Sequence, residues 1–356
     1  MKIGILTYHR SQNYGALLQA IALRNVLVGM GHEVSFIDYW PGYHKRMYAQ
    51  CSFRKALNIV HPLSAIRYIK HRLTCWKSTR RRRLETDNFI NQYISPYCSS
   101  VADEYDVVVC GSDQIWRKQP ENFGYNPVYF GANEIKAQKQ ISYAASMGKI
   151  PSTNEDIVQV KELISHLAKI SVRENDLQQF LSNNGVNDVE ITLDPTLLLT
   201  AEKWNDIIPT RRLVDTKYAL YYEVTSNCFD KNQMREFCIK RNLALIILHA
   251  NPIKRETQTE ICSFAADKFV SLIRYADFVF SSSFHGLAFS IINHKNFLCS
   301  VSLGKSRLLS LMDNLGIYGH FIDPKSDIPT DIENINYELV DIQLDKMRQK
   351  SLSYLG

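Results

Sequence analysis

The sequence predicts an α/β protein made of two domains that face each other across a cleft. Short β-branched runs alternate with helical patterns along most of the chain, which is the signature of mainly parallel sheets. The alternation breaks at Asp194-Pro195 and a second series follows. The 356 residues also exceed what one ordinary core supports.

In the first series, residues 2–7 and 33–37 read as strands around a helix at 16–30. Residues 105–110 and 140–143 read as buried strands, followed by helical spacing at 155–167 and short strands at 170–172 and 188–192. Pro195 disfavours helix at Asp194, so the chain is expected to be extended there. In the second series, strands at 218–223 and 244–249 flank a helix at 232–241, and strands at 277–280 and 296–301 flank a helix at 287–292. The expected division is a first domain over 1–195, a second over 196–330, and a C-terminal helix over 331–356 that packs back on the first. The first domain would carry a basic helical insertion at about 53–93. No internal repeat occurs at a solenoid period.

Apolar residues make up 45% of the chain and charged residues 22%, as in soluble globular proteins. No apolar run is long enough to span a bilayer, and the N-terminus does not read as a signal peptide. The expected location is the cytoplasm, at the inner face of the membrane if the basic segment makes contact there. The eight cysteines show no CxxC pairing, so neither a zinc site nor a disulfide framework is expected. No metal and no cofactor is expected. From Arg67 to Arg83 basic residues accumulate without an acid, interleaved with Ile66, Tyr68, Ile69, Leu73 and Trp76. This segment reads either as a solvated helix face or as a basic amphipathic helix touching anionic lipid. No nucleic-acid motif accompanies it. In both readings it is a surface feature and not a catalytic one.

In parallel α/β sheets ligands bind beyond the carboxyl ends of the strands, so five segments that follow strands become candidate walls of the cleft. The first holds Gln12, Asn13 and Gly15, with amides for hydroxyl groups and a glycine for close approach. It is not a dinucleotide-binding glycine pattern. The second, Gly111-Ser112-Asp113-Gln114-Ile115-Trp116, offers an acid, an amide and a ring face suited to a sugar, although Asp113 also reads as a helix N-cap. The third, Ser142 to Gly148, is small enough for a ligand or the facing domain to approach. The fourth places Arg173 at a strand end, where a guanidinium can fork onto a carboxylate or phosphate, or pair with Glu174. The fifth, Ser281-Ser282-Ser283-Phe284-His285-Gly286, joins serine donors and a helix start to a histidine that can move protons near neutral pH. Its plainer reading is a serine N-cap beside a histidine satisfied by a neighbouring carbonyl.

Taken together, the chain resembles the polysaccharide pyruvyl transferase family. The resemblance rests on Asn13-Tyr14-Gly15-Ala16 with Leu18-Gln19-Ala20, Gly111 to Trp116, Val172-Arg173-Glu174, Leu193-Asp194-Pro195-Thr196-Leu197-Leu198, and Ser283-Phe284-His285-Gly286. These lie in order over about residues 3–315. The resemblance implies two Rossmann-like domains in a GT-B-like arrangement. It also implies transfer of pyruvate from phosphoenolpyruvate, as co-substrate, onto a sugar as a cyclic ketal during surface polysaccharide assembly. In relatives the donor is held by an arginine matching Arg173 and by an Arg-x-His motif whose histidine matches His285. Here Ser283 stands where that motif has its arginine.

Ketal formation needs a proton donor, a base and cradles for two anionic groups. The expected site therefore has His285 and Asp113 as proton-transfer residues. Arg173, Ser281, Ser282, Ser283, Phe284 and Gly286 would form the donor side. Gln12, Asn13, Gly15, Ser112, Gln114 and Trp116 would form the acceptor side. The acceptor would be a lipid-linked or nucleotide-linked saccharide. Two other readings stay open: a glycosyltransferase using a nucleotide-sugar donor, and a non-catalytic saccharide-binding relative.

Overall fold

Five parallel strands build the first sheet: β1 (Lys2–Leu6), β2 (Glu33–Ile37), β3 (Cys98–Ser99), β4 (Glu104–Cys110) and β5 (Lys136–Ser142), in the order β3-β2-β1-β4-β5. The computed structural model describes residues 1–47, 62–119, 124–131, 134–302 and 305–356. Cys51 and residues 53–61 of the expected insertion lie outside the described residues. Strands β6 (Ile170–Val172) and β7 (Val189–Ile191) pair in parallel and extend the sheet past β5 through bridges at Ile141–Lys169 and Ala145–Val172.

The second sheet repeats the plan. It contains β8 (Tyr218–Glu223), β9 (Ala244–His249), β10 (Glu260–Ile261), β11 (Phe278–Ser281) and β12 (Phe297–Cys299), in the order β10-β9-β8-β11-β12, again all parallel. In each sheet the chain starts at the centre, winds outward on one side, then crosses over and continues on the other. The strand order thus reverses between β1 and β4 and between β8 and β11. At such a switch point the two loops leave in opposite directions and open a crevice beyond the strand ends. The expectation of two Rossmann-like domains facing across a cleft therefore holds.

An apolar layer joins the domains. The Tyr14–Gly29 helix is buried from Tyr14 through Leu23, because its own sheet covers one side and the second domain the other. Asn13 caps it, its side chain accepting from Gly15 N at 3.0 Å. Tyr14 donates its hydroxyl to Phe264 O at 2.5 Å and stacks on Tyr222. Asp194 is extended (φ −53°, ψ 135°), as the following proline requires, and its carboxylate caps the 3₁₀ turn Pro195–Leu198. Leu197 and Leu198 belong to the same apolar cluster as Ile5, Tyr222 and Phe289. The Tyr337–Leu355 helix begins on the second domain, where Tyr337 donates to Lys295 O at 2.5 Å. It ends on the first, where Tyr354 donates to Ser142 O at 2.8 Å.

The sequence reading placed a helix after Arg173 without bounds, which is Asn175–Asn183, and omitted the helices Ala266–Tyr275 and Lys305–Asn314. It also omitted β3 and β10, edge strands of two residues that carry no readable alternation. The basic segment forms the helices Pro62–Thr74 and Trp76–Tyr93, and here one expectation is corrected. It is not wholly a surface feature, because Arg82 is only 3% exposed. Arg82 donates to His249 O (3.1 Å) and Cys262 O (3.0 Å) in the second domain and to Gln12 O (3.0 Å) in the first. Its guanidinium thereby straps the insertion across both domains.

Candidate functional site

A cleft of about 610 Å³ opens between the two switch points. After β1 come Tyr8, Ser11, Gln12 and Asn13, and after β4 come Asp113 and Gln114. From the second domain Val224 and Thr225 follow β8, and Ser282, Ser283, Phe284 and His285 follow β11. Arg307 enters from the Lys305–Asn314 helix, and Arg72, Thr79 and Arg82 from the insertion.

The end of β11 is shaped by its serines. The Ser282 hydroxyl accepts from Val224 N (2.8 Å) and Thr225 N (3.0 Å), which ties β11 to the loop after β8. Ser283 is the N-cap of the Phe284–Ile292 helix, yet its side chain makes no capping bond. The first intrahelical bond runs from Leu287 N to Ser283 O, so the N–H groups of residues 284–286 precede the helix ladder. His285 stands in this first turn and faces the first domain.

Behind the cleft wall runs a buried chain of charge. The Asp194 carboxylate pairs with Arg173 Nη1 and lies 3.7 Å from His285 Nε2. Thr196 binds its other oxygen through N (3.0 Å) and Oγ1 (2.7 Å). Burial alone would raise the Asp194 carboxyl, but the His285 contact, the Arg173 charge and the Thr196 bonds hold it well below the usual carboxylate range. Arg173 Nε and Arg307 Nε each lie 3.7 Å from Glu174 Oε1. Burial pushes the Glu174 carboxyl up despite the two arginines. Burial lowers Arg307, with the Arg173 charge adding to the effect. Gln114, with its amide oxygen turned to Arg307, accepts from Nη1 at 3.2 Å and Nη2 at 3.0 Å. Arg173 Nε and Nη2, Glu174 Oε2, His285 Nε2 and Arg307 Nε are buried polar atoms left without a hydrogen-bond partner. Such a cluster beside a cleft is suited to an anion and ordered water.

Of the expected residues, Gln12, Asn13, Asp113, Gln114, Ser282, Ser283, Phe284 and His285 line the cleft. Others do not. Trp116 is corrected from a stacking platform to a core residue, fully buried, stacked on Phe130 and donating its indole N–H to Tyr129 O at 2.9 Å. Ser112 is buried too, bonding Gln19 Oε1 through its N–H and Ala144 O through its hydroxyl. Gly15 admits no ligand because the His285 ring covers it. Ser281 accepts from Ser283 N at 3.1 Å, and Gly286 leaves room for that hydroxyl, so both build the turn and stay outside the cleft lining. Arg173 is also corrected: it lies one layer back, paired with Asp194, and is not part of the lining. The small residues from Ser142 to Ser146 admit neither ligand nor facing domain but β6 and Glu174 of their own domain.

Sequence reasoning missed Arg307, Arg82 and the role of Asp194. Asp194 was visible only as part of the Asp-Pro break, and Arg307 follows Lys305 without a distinctive spacing. Among the described residues, His9, Asp38 and Cys98 bring metal-ligand atoms within 4.8 Å of one another. Arg10 grips both Asp38 oxygens at 2.6 and 2.7 Å, and burial pushes the Cys98 thiol up to about 11, so Asp38 is held in an ion pair with Arg10 beside a neutral thiol. No described helix is long and apolar enough to cross a membrane.

Comparison with solved structures finds distant neighbours. UDP-GlcNAc 2-epimerase from Methanocaldococcus jannaschii shares 10% identity at TM-score 0.48, over 97% of this chain and 92% of that one. A UDP-N-acetylglucosamine 2-epimerase described as putative, from Listeria monocytogenes, shares 10% identity at TM-score 0.46, over 98% and 90%. The E. coli heptosyltransferase WaaC with ADP shares 11% identity at TM-score 0.40, over 98% and 100%. No curated protein matches the chain. The family model for polysaccharide pyruvyl transferase matches residues 13–301, from the Asn13 cap to the segment after β12. This span holds every motif that carried the resemblance, and the chain belongs to the polysaccharide pyruvyl transferase family.

Proposed function

We propose that this protein transfers the pyruvyl unit of phosphoenolpyruvate onto two hydroxyls of a lipid-linked or nucleotide-linked sugar, as a cyclic ketal, during surface polysaccharide assembly. The observation that supports this most is His285, set between the two switch points, braced by the Asp194 carboxylate at 3.7 Å and sharing the cleft with Arg307. A carboxylate behind an imidazole fixes the ring toward the cleft, which suits a proton-transfer residue.

In the proposed reaction His285 gives a proton to the donor methylene, and the adjacent carbon becomes oxocarbenium-like. One sugar hydroxyl adds there and loses its proton to Asp113, across the cleft. The second hydroxyl closes the ring as the carbon–oxygen bond to phosphate breaks, with its electron pair leaving on phosphate. The two hydroxyl protons balance the one gained by the new methyl group and the one carried off by phosphate. Arg307, Ser283 and the N–H groups of residues 284–286 would hold the donor carboxylate and phosphate. Arg307 thus brings a guanidinium into the cleft although Ser283 does not. Gln12, Asn13 and Gln114 would hold the acceptor hydroxyls.

Ser283 favours one second reading, glycosyl transfer from a nucleotide sugar, because a neutral donor grips an anion less firmly than a forked arginine. Thermal unfolding with phosphoenolpyruvate, UDP-sugars and GDP-sugars separates the two. Phosphoenolpyruvate at a hundred times its Kd should stabilise the protein by about 2.7 kcal/mol, and Arg307→Ala should cut the effect at the same concentration to about half or less. Stabilisation by a nucleotide sugar alone would move the assignment to glycosyl transfer. Saccharide binding without turnover, unchanged in His285→Ala, would identify a binding protein.

A further inference from the structure

The helices Pro62–Thr74 and Trp76–Tyr93 expose an unusual surface. Ile66 (60%), Leu73 (71%) and Trp76 (50%) stand open to solvent, with Ile69 and Leu84 also exposed. Positions 66, 69 and 73 form one stripe along the first helix, at the i, i+3, i+7 spacing of a single face. Around them Arg67, Lys70, Lys77, Arg80, Arg81 and Arg83 are exposed as well. From residue 62 to 84 the sequence contains no acid. Arg83 pairs with Asp87 (3.5 Å) and Arg81 with Glu256 (3.8 Å), but among the described residues no acid pairs with Arg67, Lys70, Lys77 or Arg80.

We infer that this helical pair docks on an anionic lipid bilayer, with Leu73 and Trp76 entering the headgroup boundary. Cations alone would serve any polyanion. Exposed Ile66, Ile69 and Leu73 beside them favour a bilayer, because aliphatic side chains gain burial only where acyl chains lie beneath the charge. Position supports the same occupant. The second helix is anchored to the protein on the side away from Trp76 by Arg82, by Ser78 donating to Ile253 O at 2.6 Å, and by Glu85 with Lys268 at 2.6 Å. The same helices contribute Arg72, Thr79 and Arg82 to the cleft, so docking would hold the cleft mouth at the membrane. The inference does not depend on which reaction the cleft performs.

Flotation of the full chain with vesicles tests it. Vesicles of phosphatidylcholine with one-third phosphatidylglycerol should carry the protein at low salt, and pure phosphatidylcholine should not. Each charge neutralised among Arg67, Lys70, Lys77 and Arg80 (to Gln) should weaken partition roughly fivefold. Leu73→Asn with Trp76→Asn should release the protein while leaving its melting temperature unchanged, since both side chains are exposed. Wild-type tryptophan emission should shift to the blue on mixed vesicles, and the shift should vanish in Trp76→Phe. Absence of flotation on the mixed vesicles would overturn the proposal. Flotation insensitive to the Leu73 and Trp76 changes would do so too. So would equal binding to heparin that competes without any Trp76 shift, which would mark a general polyanion surface.

Discussion

His285 rests directly on Gly15: a β-carbon at Gly15 would stand 1.9 Å from His285 Nδ1 and 2.3 Å from its Cε1. Gly15 belongs to the first turn of a first-domain helix and His285 to the first turn of a second-domain helix. The missing side chain in one domain therefore sets the position of an imidazole in the other. Gly15→Ala should displace the ring by about an ångström and lower turnover roughly a hundredfold, with the fold retained at a cost of about 1–3 kcal/mol. Single-turnover kinetics beside a thermal melt checks this, and unchanged turnover would show that the ring position does not govern the chemistry.

The two arginines should behave differently. Arg173→Ala leaves Asp194 and Glu174 buried without their shared cation, so a stability loss of about 3–5 kcal/mol is expected. Arg307→Ala opens a residue that lines the cleft, so it should raise the donor KM by tenfold or more with little change in melting temperature. Denaturant titration together with steady-state kinetics separates the roles; a reversed pattern would return Arg173 to direct donor contact.

Asp194 gives an acid signature. Its carboxyl is held below the usual range, so its contribution to stability is complete above the unfolded-state value of about 4. That contribution is lost as pH falls further, toward the depressed folded value. Asp194→Asn should destabilise the protein near neutrality, by removing the carboxylate that pairs with buried Arg173 Nη1, and should flatten the stability curve below about pH 4. Urea unfolding from pH 7 to 2 reads both effects.

His44 titrates in a separate window. Burial lowers its imidazole from 6.5 to about 4, so the folded state binds the proton more weakly than the unfolded chain. Stability is therefore intact above pH 6.5 and declines by roughly 3 kcal/mol as pH falls to 4. His44→Phe keeps a ring against Tyr8, whose centroid lies 4.4 Å away, and should remove this decline. An unaltered decline between pH 6.5 and 4 would assign it to another group.

Trp116 provides a check on the core assignment. Trp116→Ala should cost about 3–5 kcal/mol through the cavity it leaves against Phe130. Saccharide affinity, measured by calorimetry below the melting temperature, should not change. A selective loss of affinity in a stable variant would restore Trp116 to the acceptor site.

By itself the sequence determined what is local. Valines at 107–109 mark a buried strand, and helical spacing marks the first helix at 16–30. The Asp194-Pro195 break, the serine run before His285 and the collinear motifs carried fold class and family. Spacing along the chain decides such features through backbone geometry and periodic burial, so one sequence displays them. Only the tertiary structure decided which polar groups meet. Trp116 and Asp113 lie three residues apart, yet one turns into the core and the other into the cleft. Arg82, read as one surface charge among four, is the residue buried between domains because backbone carbonyls from both converge on it. Asp194, Arg173 and His285 come from three distant segments, and Arg307 reaches their neighbour Glu174 from a fourth. Electrostatic pairing depends on distance in space, and the packing of two sheets against shared helices sets that distance.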